Sequence, residues 1–237
     1  MKRLITALGL SAVLLIAALP AFAHEDHCME VGGNMTDAGQ CIQAGSLEIS
    51  SNYPIEAAHI SDALTAGIDE YINGSFDEFV GMFAQGFVPS VAFPWSLYID
   101  SEVLDGVSTV SVVFSRYQFT GGANGNADYH TLTAQVESGD LLTLPDIFVS
   151  GVDPYTTLEP LAVAALTELL GEAAVPEMLA EGTAPVPENY QNWALTADSL
   201  NLYFNEYQVA PGAAGALSIA IPLTELADVL QLQYLPS

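Results

Sequence analysis

The sequence predicts an α+β fold: an antiparallel β-sheet with packed helices. Three observations lead there. Strand-type alternation and helical spacing come in separate blocks rather than alternating one for one. Two long alternating runs, 107–119 and 129–136, are separated by one short glycine loop. That favours an antiparallel meander over a parallel sheet, whose crossovers need a dozen or more residues. Finally, 51% of the 237 residues are apolar, which supplies a sizeable core.

The elements follow in order. Met1-Lys2-Arg3, an apolar run from Leu4 to Leu19 and Pro20-Ala21-Phe22-Ala23 make a basic, apolar and small-residue series, the pattern of a secretory signal over 1–23. The apolar run is short for a bilayer span, and no later stretch is long and apolar enough to make one. The mature protein is expected in the periplasm or outside the cell. Residues 24–45 are polar and glycine-rich. They hold Cys28 and Cys41, the only cysteines, an even pair that in an exported chain reads as a disulfide. A thiolate metal site is the alternative, but two further ligands at recognisable spacing are missing.

A module of one strand and helix is expected over 46–92. Leu47-Glu48-Ile49-Ser50 alternates, and Pro54 ends the strand. Helical spacing then runs through Ile60, Leu64, Ile68, Ile72, Phe76, Phe79 and Phe83, with Asn73-Gly74-Ser75 predicting a break or a second helix capped by Ser75 and Glu78. The remainder, 93–237, reads as a sheet domain. Strands lie near 96–101, 107–119 and 129–136, with turns at Gly121–Asn126 and Ser138-Gly139-Asp140. Pro154 to Leu170 is helical, with Gly171 as its C-cap. Short strands follow at 193–196, 200–204 and 217–221, then a short helix from Leu223 to Leu230.

Charge sets the electrostatics. The chain holds 29 acids against three Lys and Arg, two of which, Lys2 and Arg3, lie in the export signal. Without them one base, Arg116, faces 29 acids, a balance of −28. Such a surface repels nucleic acid, anionic lipid and polyphosphate, and attracts cationic proteins and divalent metals. It fits either a salty or acidic habitat or a cationic partner.

Tyr117-Gln118-Phe119-Thr120-Gly121-Gly122-Ala123-Asn124-Gly125, the run Ser138 to Phe148, Trp193 to Leu200, Tyr203 to Gly215 and Ile219-Ala220-Ile221-Pro222 form a spaced series. In this order they resemble the extracellular C-terminal domain of RsiV-type lysozyme-sensing anti-sigma factors and the non-catalytic module of PdaC-type peptidoglycan deacetylases. Residues 47–83 resemble the companion N-terminal module. The resemblance implies an antiparallel sheet with packed helices, similar to a subdomain of the Hsp70-type ATPase, and a binding role outside the cell. Its implied partners are a cationic lysozyme-like protein or a peptidoglycan component. Where that family often has His after Gly-Gly-Ala, this chain has Asn124, so no role of that His carries over.

Arg116, Gly121, Gly122, Asn124, Gly125 and Tyr207 are the candidate ligand-binding residues. Gly121, Gly122 and Gly125 permit positive φ or close backbone approach, and exposed amides there can hold a carboxylate or carbonyl. A plain strand-to-strand corner is the simpler use of the same glycines. Arg116 can fork onto a carboxylate, of a ligand or of a structural partner. Tyr98, Tyr117, Phe119, Tyr203, Phe204 and Tyr207 fit a core or sheet face as well as a sugar platform. Asn124, Asn126 and Asp128 alternate like calcium ligands but lack the glycine and terminal Glu of a calcium loop.

No Gly-x-Ser-x-Gly elbow, His-Glu-x-x-His or phosphate-binding loop occurs, and no cofactor motif is present. The expectation is a non-catalytic protein. Its alternative is a cell-wall glycan hydrolase using paired carboxylates, with no particular pair singled out. His24 and His27, close to the expected mature N-terminus, stay unassigned.

Overall fold

A computed structural model of the chain describes residues 28–29, 34–35, 40–43, 47–52, 54, 60–84 and 94–236. The export signal and most of the 24–45 extension lie outside the described residues.

Six strands form one sheet in sequence order: β1 (Asn34–Met35), β2 (Gln40–Gln43), β3 (Leu47–Asn52), β4 (Trp95–Asp105), β5 (Thr109–Phe119) and β6 (Asn126–Gln135). Every neighbouring pair is antiparallel except β3 and β4, which run parallel. The expected antiparallel sheet with packed helices is thus present, with this one parallel pair in it. A parallel pair needs a long crossover, and α1 (Asp62–Ala84) supplies it.

α1 is one helix of 23 residues, where a break at Asn73-Gly74-Ser75 was expected. Leu64, Ile68, Ile72, Phe76 and Phe79 keep helical spacing through the interruption, and all five are buried against the sheet. Burying that continuous stripe outweighs the local turn preference of Asn-Gly-Ser, a matter of about 1 kcal/mol for the glycine. Ser75 is buried in mid-helix and caps nothing. The N-terminus is capped instead by Ser61, whose hydroxyl accepts from Leu64 N at 3.1 Å and donates to Gly139 O at 2.7 Å.

A second sheet holds β7 (Trp193–Leu195), β8 (Ser199–Phe204) and β9 (Leu217–Pro222), all antiparallel. α2 (Pro154–Leu170) packs on it, with α3 (Pro176–Gly182) beside. Asp153 caps α2 by accepting from Tyr155 N at 3.1 Å, and Gly171 ends it at φ +53°. The helix expected over 223–230 is instead a single 3₁₀ turn, Leu223–Glu225. Its continuation is diverted to another segment: Val149 N donates to Val229 O at 2.8 Å and Gln231 N to Ile147 O at 3.0 Å. These bonds draw 229–231 alongside 147–149, while Leu223, Leu226 and Leu230 still reach the core.

Two hydrophobic cores result, one spanning Cys28 to Ala134 and one spanning Leu144 to Tyr234. They do not follow a boundary at 92/93, because β3 and α1 pair and pack with β4 to β6. The two halves meet along the outer edge of β6. A bare edge strand exposes unpaired backbone groups, and here the second half covers them. Ala127 N donates to Glu206 Oε2 and Tyr129 N to Asn205 Oδ1, both at 2.8 Å. Trp193 N donates to Thr131 Oγ1, also at 2.8 Å.

Candidate functional site

The same edge contacts hold the β8–β9 loop against the tip of the β5–β6 hairpin, and a cleft of about 730 Å³ opens between them. The loop is held firmly. Gln208 Oε1 accepts from Asn205 N at 3.1 Å, and Gln208 Nε2 donates to Gly182 O at 3.1 Å and to Asn189 O at 3.0 Å. Between those anchors Tyr207 adopts φ +68°, the single positive φ outside glycine among the described residues. Left-handed backbone costs a bulky residue about 1 kcal/mol or more, and the surrounding bonds hold it there. The residue is 61% exposed.

Two glycines carry the aromatic walls. A Cβ on Gly212 would collide with the Tyr207 ring, and a Cβ on Gly125 with the Tyr117 ring. The phenol end of each ring therefore rests against backbone that only glycine leaves bare. Both rings, with Phe119, Asn124 and Glu206, line the cleft.

The cleft continues along the outer sheet face, opposite α1. Strand alternation puts Tyr98, Asp100 and Glu102 on that face of β4, between the buried Leu97 and Ile99. Register then sets the rows: Tyr98 opposes Tyr117, which opposes Ala127, and Asp100 opposes Ser115, which opposes Tyr129. The Tyr98 and Tyr117 rings stack, 6.2 Å between centroids at 16°. A recess of about 200 Å³ shares Tyr117 and Ala127 with the main cleft. Another, of about 410 Å³, shares Asp100, Ser115 and Tyr129 with the first recess and reaches Glu102, Tyr203 and Ser218. Together they make one trough walled by five tyrosines and bordered by carboxylates.

Burial, reinforced by the Glu102 charge, pushes Tyr203 up to about 12. Tyr98 donates to Glu48 Oε2 at 2.6 Å, and that bond holds its hydroxyl above its ordinary value.

Arg116 faces the other side of the sheet, toward α1. Its Nε lies 3.0 Å from both Asp128 oxygens, Nη2 is 2.9 Å from Oδ2, and Nη1 is 3.5 Å from Glu78. Burial acts to lower its pKa, but the Asp128 bonds and charge outweigh it and hold the guanidinium above its usual range. Its neighbour His130 stacks on Tyr71, ring centroids 4.2 Å apart, and burial followed by the Arg116 charge lowers it to about 4.

Of the sequence candidates, Asn124, Gly125 and Tyr207 meet in the main cleft. Arg116 adjoins the neighbouring recess in sequence position, but its guanidinium is paired with Asp128 on the opposite face of the sheet. Gly121 and Gly122 take φ +98° and +104° at the hairpin tip, the strand corner weighed for them above. The sequence pointed to Tyr98 as a sheet-face residue or part of a sugar platform, and gave no site role to Asp100, Glu102, Glu206 or Gly212. Period-two alternation in 96–101 already places Tyr98 and Asp100 on one face, and that signal was available. Among the described residues no group of three or more His, Cys, Asp or Glu is arranged to hold a metal, and no helix is long and apolar enough to cross a membrane.

The chain is similar to several known proteins, one of them named for an activity on peptidoglycan. It is 38% identical over 127 residues to the peptidoglycan-N-acetylmuramic acid deacetylase PdaC of Bacillus subtilis; the match takes 54% of this chain and 27% of PdaC. It is 28% identical over 230 residues to the esterase Rv3036c of Mycobacterium tuberculosis, covering 94% of this chain and 96% of the esterase. A crystal structure of a DUF3298 family protein from Pseudomonas aeruginosa shares the fold, with TM-score 0.54 at 19% identity over 81% of this chain and 87% of that one. Residues 145–224, the stretch that takes in α2, α3 and β7 to β9, match the family described as protein of unknown function (DUF3298).

Proposed function

We propose that this chain is an exported, non-catalytic binding protein of the cell envelope that holds a cell-wall glycan in the tyrosine-lined trough. One observation carries the reading: Tyr117 and Tyr207, seated on Gly125 and Gly212, both line one solvent-open cleft. Sugar rings stack on aromatic faces through their C–H groups, and neighbouring carboxylates and tyrosine hydroxyls bond their hydroxyls. PdaC acts on peptidoglycan by name, and the stretch shared with it is about a quarter of that protein. A shared wall-binding role fits that short overlap.

The experiment is co-sedimentation of the purified chain with insoluble peptidoglycan, together with release of soluble reducing ends. The expected result is retention without release. Retention should fall in Tyr117→Ala and Tyr207→Ala while circular dichroism is unchanged. A folded protein that stays in the supernatant overturns the proposal. A parallel titration with a cationic lysozyme at low salt reads the protein partner that 29 acids would attract.

A hydrolytic reading has its own observation. Asp100 and Glu102 border one recess from the same face of β4, about 7 Å apart at strand spacing. That approaches the separation of inverting glycosidases. The 28% identity to an esterase over most of the chain adds weight to a hydrolase. Release of reducing ends that stops in Asp100→Asn would establish it in place of simple binding.

A further inference from the structure

We infer that the trough selects glycan whose amines are free and protonated, de-N-acetylated glucosamine units, over N-acetylated or anionic chains. The inference rests on the glycan reading above and adds the ligand's charge.

The first observation is the cation inventory. Beyond residue 3, Arg116 is the one Lys or Arg in the sequence. Its Nε and Nη2 are taken by Asp128 and its Nη1 points to Glu78, with the side chain only 22% exposed. A phosphate, sulfate or carboxylate on the ligand therefore meets no unpaired guanidinium or ammonium in the trough. Desolvating an anion without a partner is costly. Polyanionic wall polymers are disfavoured on that ground.

The second observation is what the trough offers instead. Asp100 and Glu102 are exposed beside each other in one recess. Glu206, bonded through Oε2 to Ala127 N, lines the main cleft. Between them stand the stacked rings of Tyr98 and Tyr117. Aromatic faces attract cations as well as sugar rings. An N-acetyl group removes the positive charge that both kinds of partner would use. A free amine keeps it and adds three N–H donors for carboxylate oxygens.

The test is calorimetric titration of the full chain with chitin oligosaccharide and with its fully deacetylated counterpart of equal length. The expected result is about tenfold tighter binding of the deacetylated form, the size of one charge-assisted contact at a partly open site. The preference should vanish above the titration of the glucosamine amine. It should also vanish in the Asp100→Asn/Glu102→Gln double variant. It should persist in Glu168→Gln/Glu172→Gln, where the same number of exposed acids is removed outside the trough. If the preference falls equally in that second pair, only the overall charge attracts the amine and the inference is overturned. Equal binding of the two oligosaccharides overturns it and leaves the glycan reading standing. Binding of neither, with retention on peptidoglycan also absent, overturns both.

Discussion

Arg116 and Asp128 stand directly opposite each other in the β5–β6 register and close a forked ion pair, with Nε 3.0 Å from both carboxylate oxygens. Both are largely shielded, at 22% and 14% side-chain exposure. Removing one partner strands the other's charge in a poorly solvated place. Arg116→Ala should therefore cost about 3 kcal/mol of stability, the range for breaking a buried pair. Arg116→Met/Asp128→Leu should recover most of that loss, since an apolar pair leaves no charge behind. Urea unfolding of the two variants reads both values. Equal stability of Arg116→Ala and the wild type would mean the pair is solvated and contributes nothing.

Gly125 and Gly212 make the opposite kind of prediction, large for binding and small for folding. Neither sits at positive φ, so alanine strains no backbone at either position. The obstructed atoms are the outer ends of the Tyr117 and Tyr207 rings, which can swing away. Gly125→Ala and Gly212→Ala should each stay within about 1 kcal/mol of wild-type stability. Each should weaken retention on peptidoglycan about tenfold by tilting an aromatic wall. Thermal melting and co-sedimentation, run on the same preparations, check the two halves of the prediction.

These positions also show where sequence reading stops. Alternation along 107–119 and 129–136 was legible because each strand buries one face, and the register follows from that pattern. The same rule puts Tyr98 and Asp100 together. It does not say that a loop more than a hundred residues away, 205–216, will wall off one end of that face. Tyr117 and Gly125 are eight positions apart, Tyr207 and Gly212 five, spacings with no local meaning in a strand or helix. Only the folded chain brings each ring onto its glycine. The Asn73-Gly74-Ser75 misreading has the reverse cause. A local turn signal was plain, and the packing of Ile72, Phe76 and Phe79 overruled it.

Ser61 joins the start of α1 to the turn after β6. Its hydroxyl accepts from Leu64 N and donates to Gly139 O, where Gly139 holds φ +77°. Ser61→Ala removes the cap and leaves that carbonyl without this partner, for a loss of about 1–2 kcal/mol. Ser61→Asp should keep the cap but cannot donate to Gly139 O at neutral pH, so it should fall between the two. Chemical denaturation of the three proteins orders them.

Cys28 is 1% exposed in the first core, and no described cysteine is free. The pairing with Cys41 expected from the sequence would close a short loop and contribute about 3 kcal/mol. Intact mass should rise by two hydrogens on reduction under denaturing conditions, and the melting temperature should fall with it. An unchanged mass would remove the disulfide.

His130 makes stability depend on pH in a defined window. It packs beside Tyr71 and Phe114, near the Arg116 cation, and is held at about 4 against an ordinary 6.5. Between those values the unfolded chain binds a proton at this site that the folded chain refuses. Stability should therefore be fully present above pH 6.5, decline as pH falls toward 4, and level off for this group below that. The drop is at most about 3 kcal/mol, from 1.36 kcal/mol for each unit of difference. Carboxylates add their own acid dependence, so the contribution is read as a difference from a variant. His130→Gln, which fills similar space without titrating, should flatten the slope between pH 6.5 and 4 relative to wild type. Denaturant unfolding across that range measures both slopes, and parallel curves for the two proteins would show that His130 is solvated enough to charge in the native state.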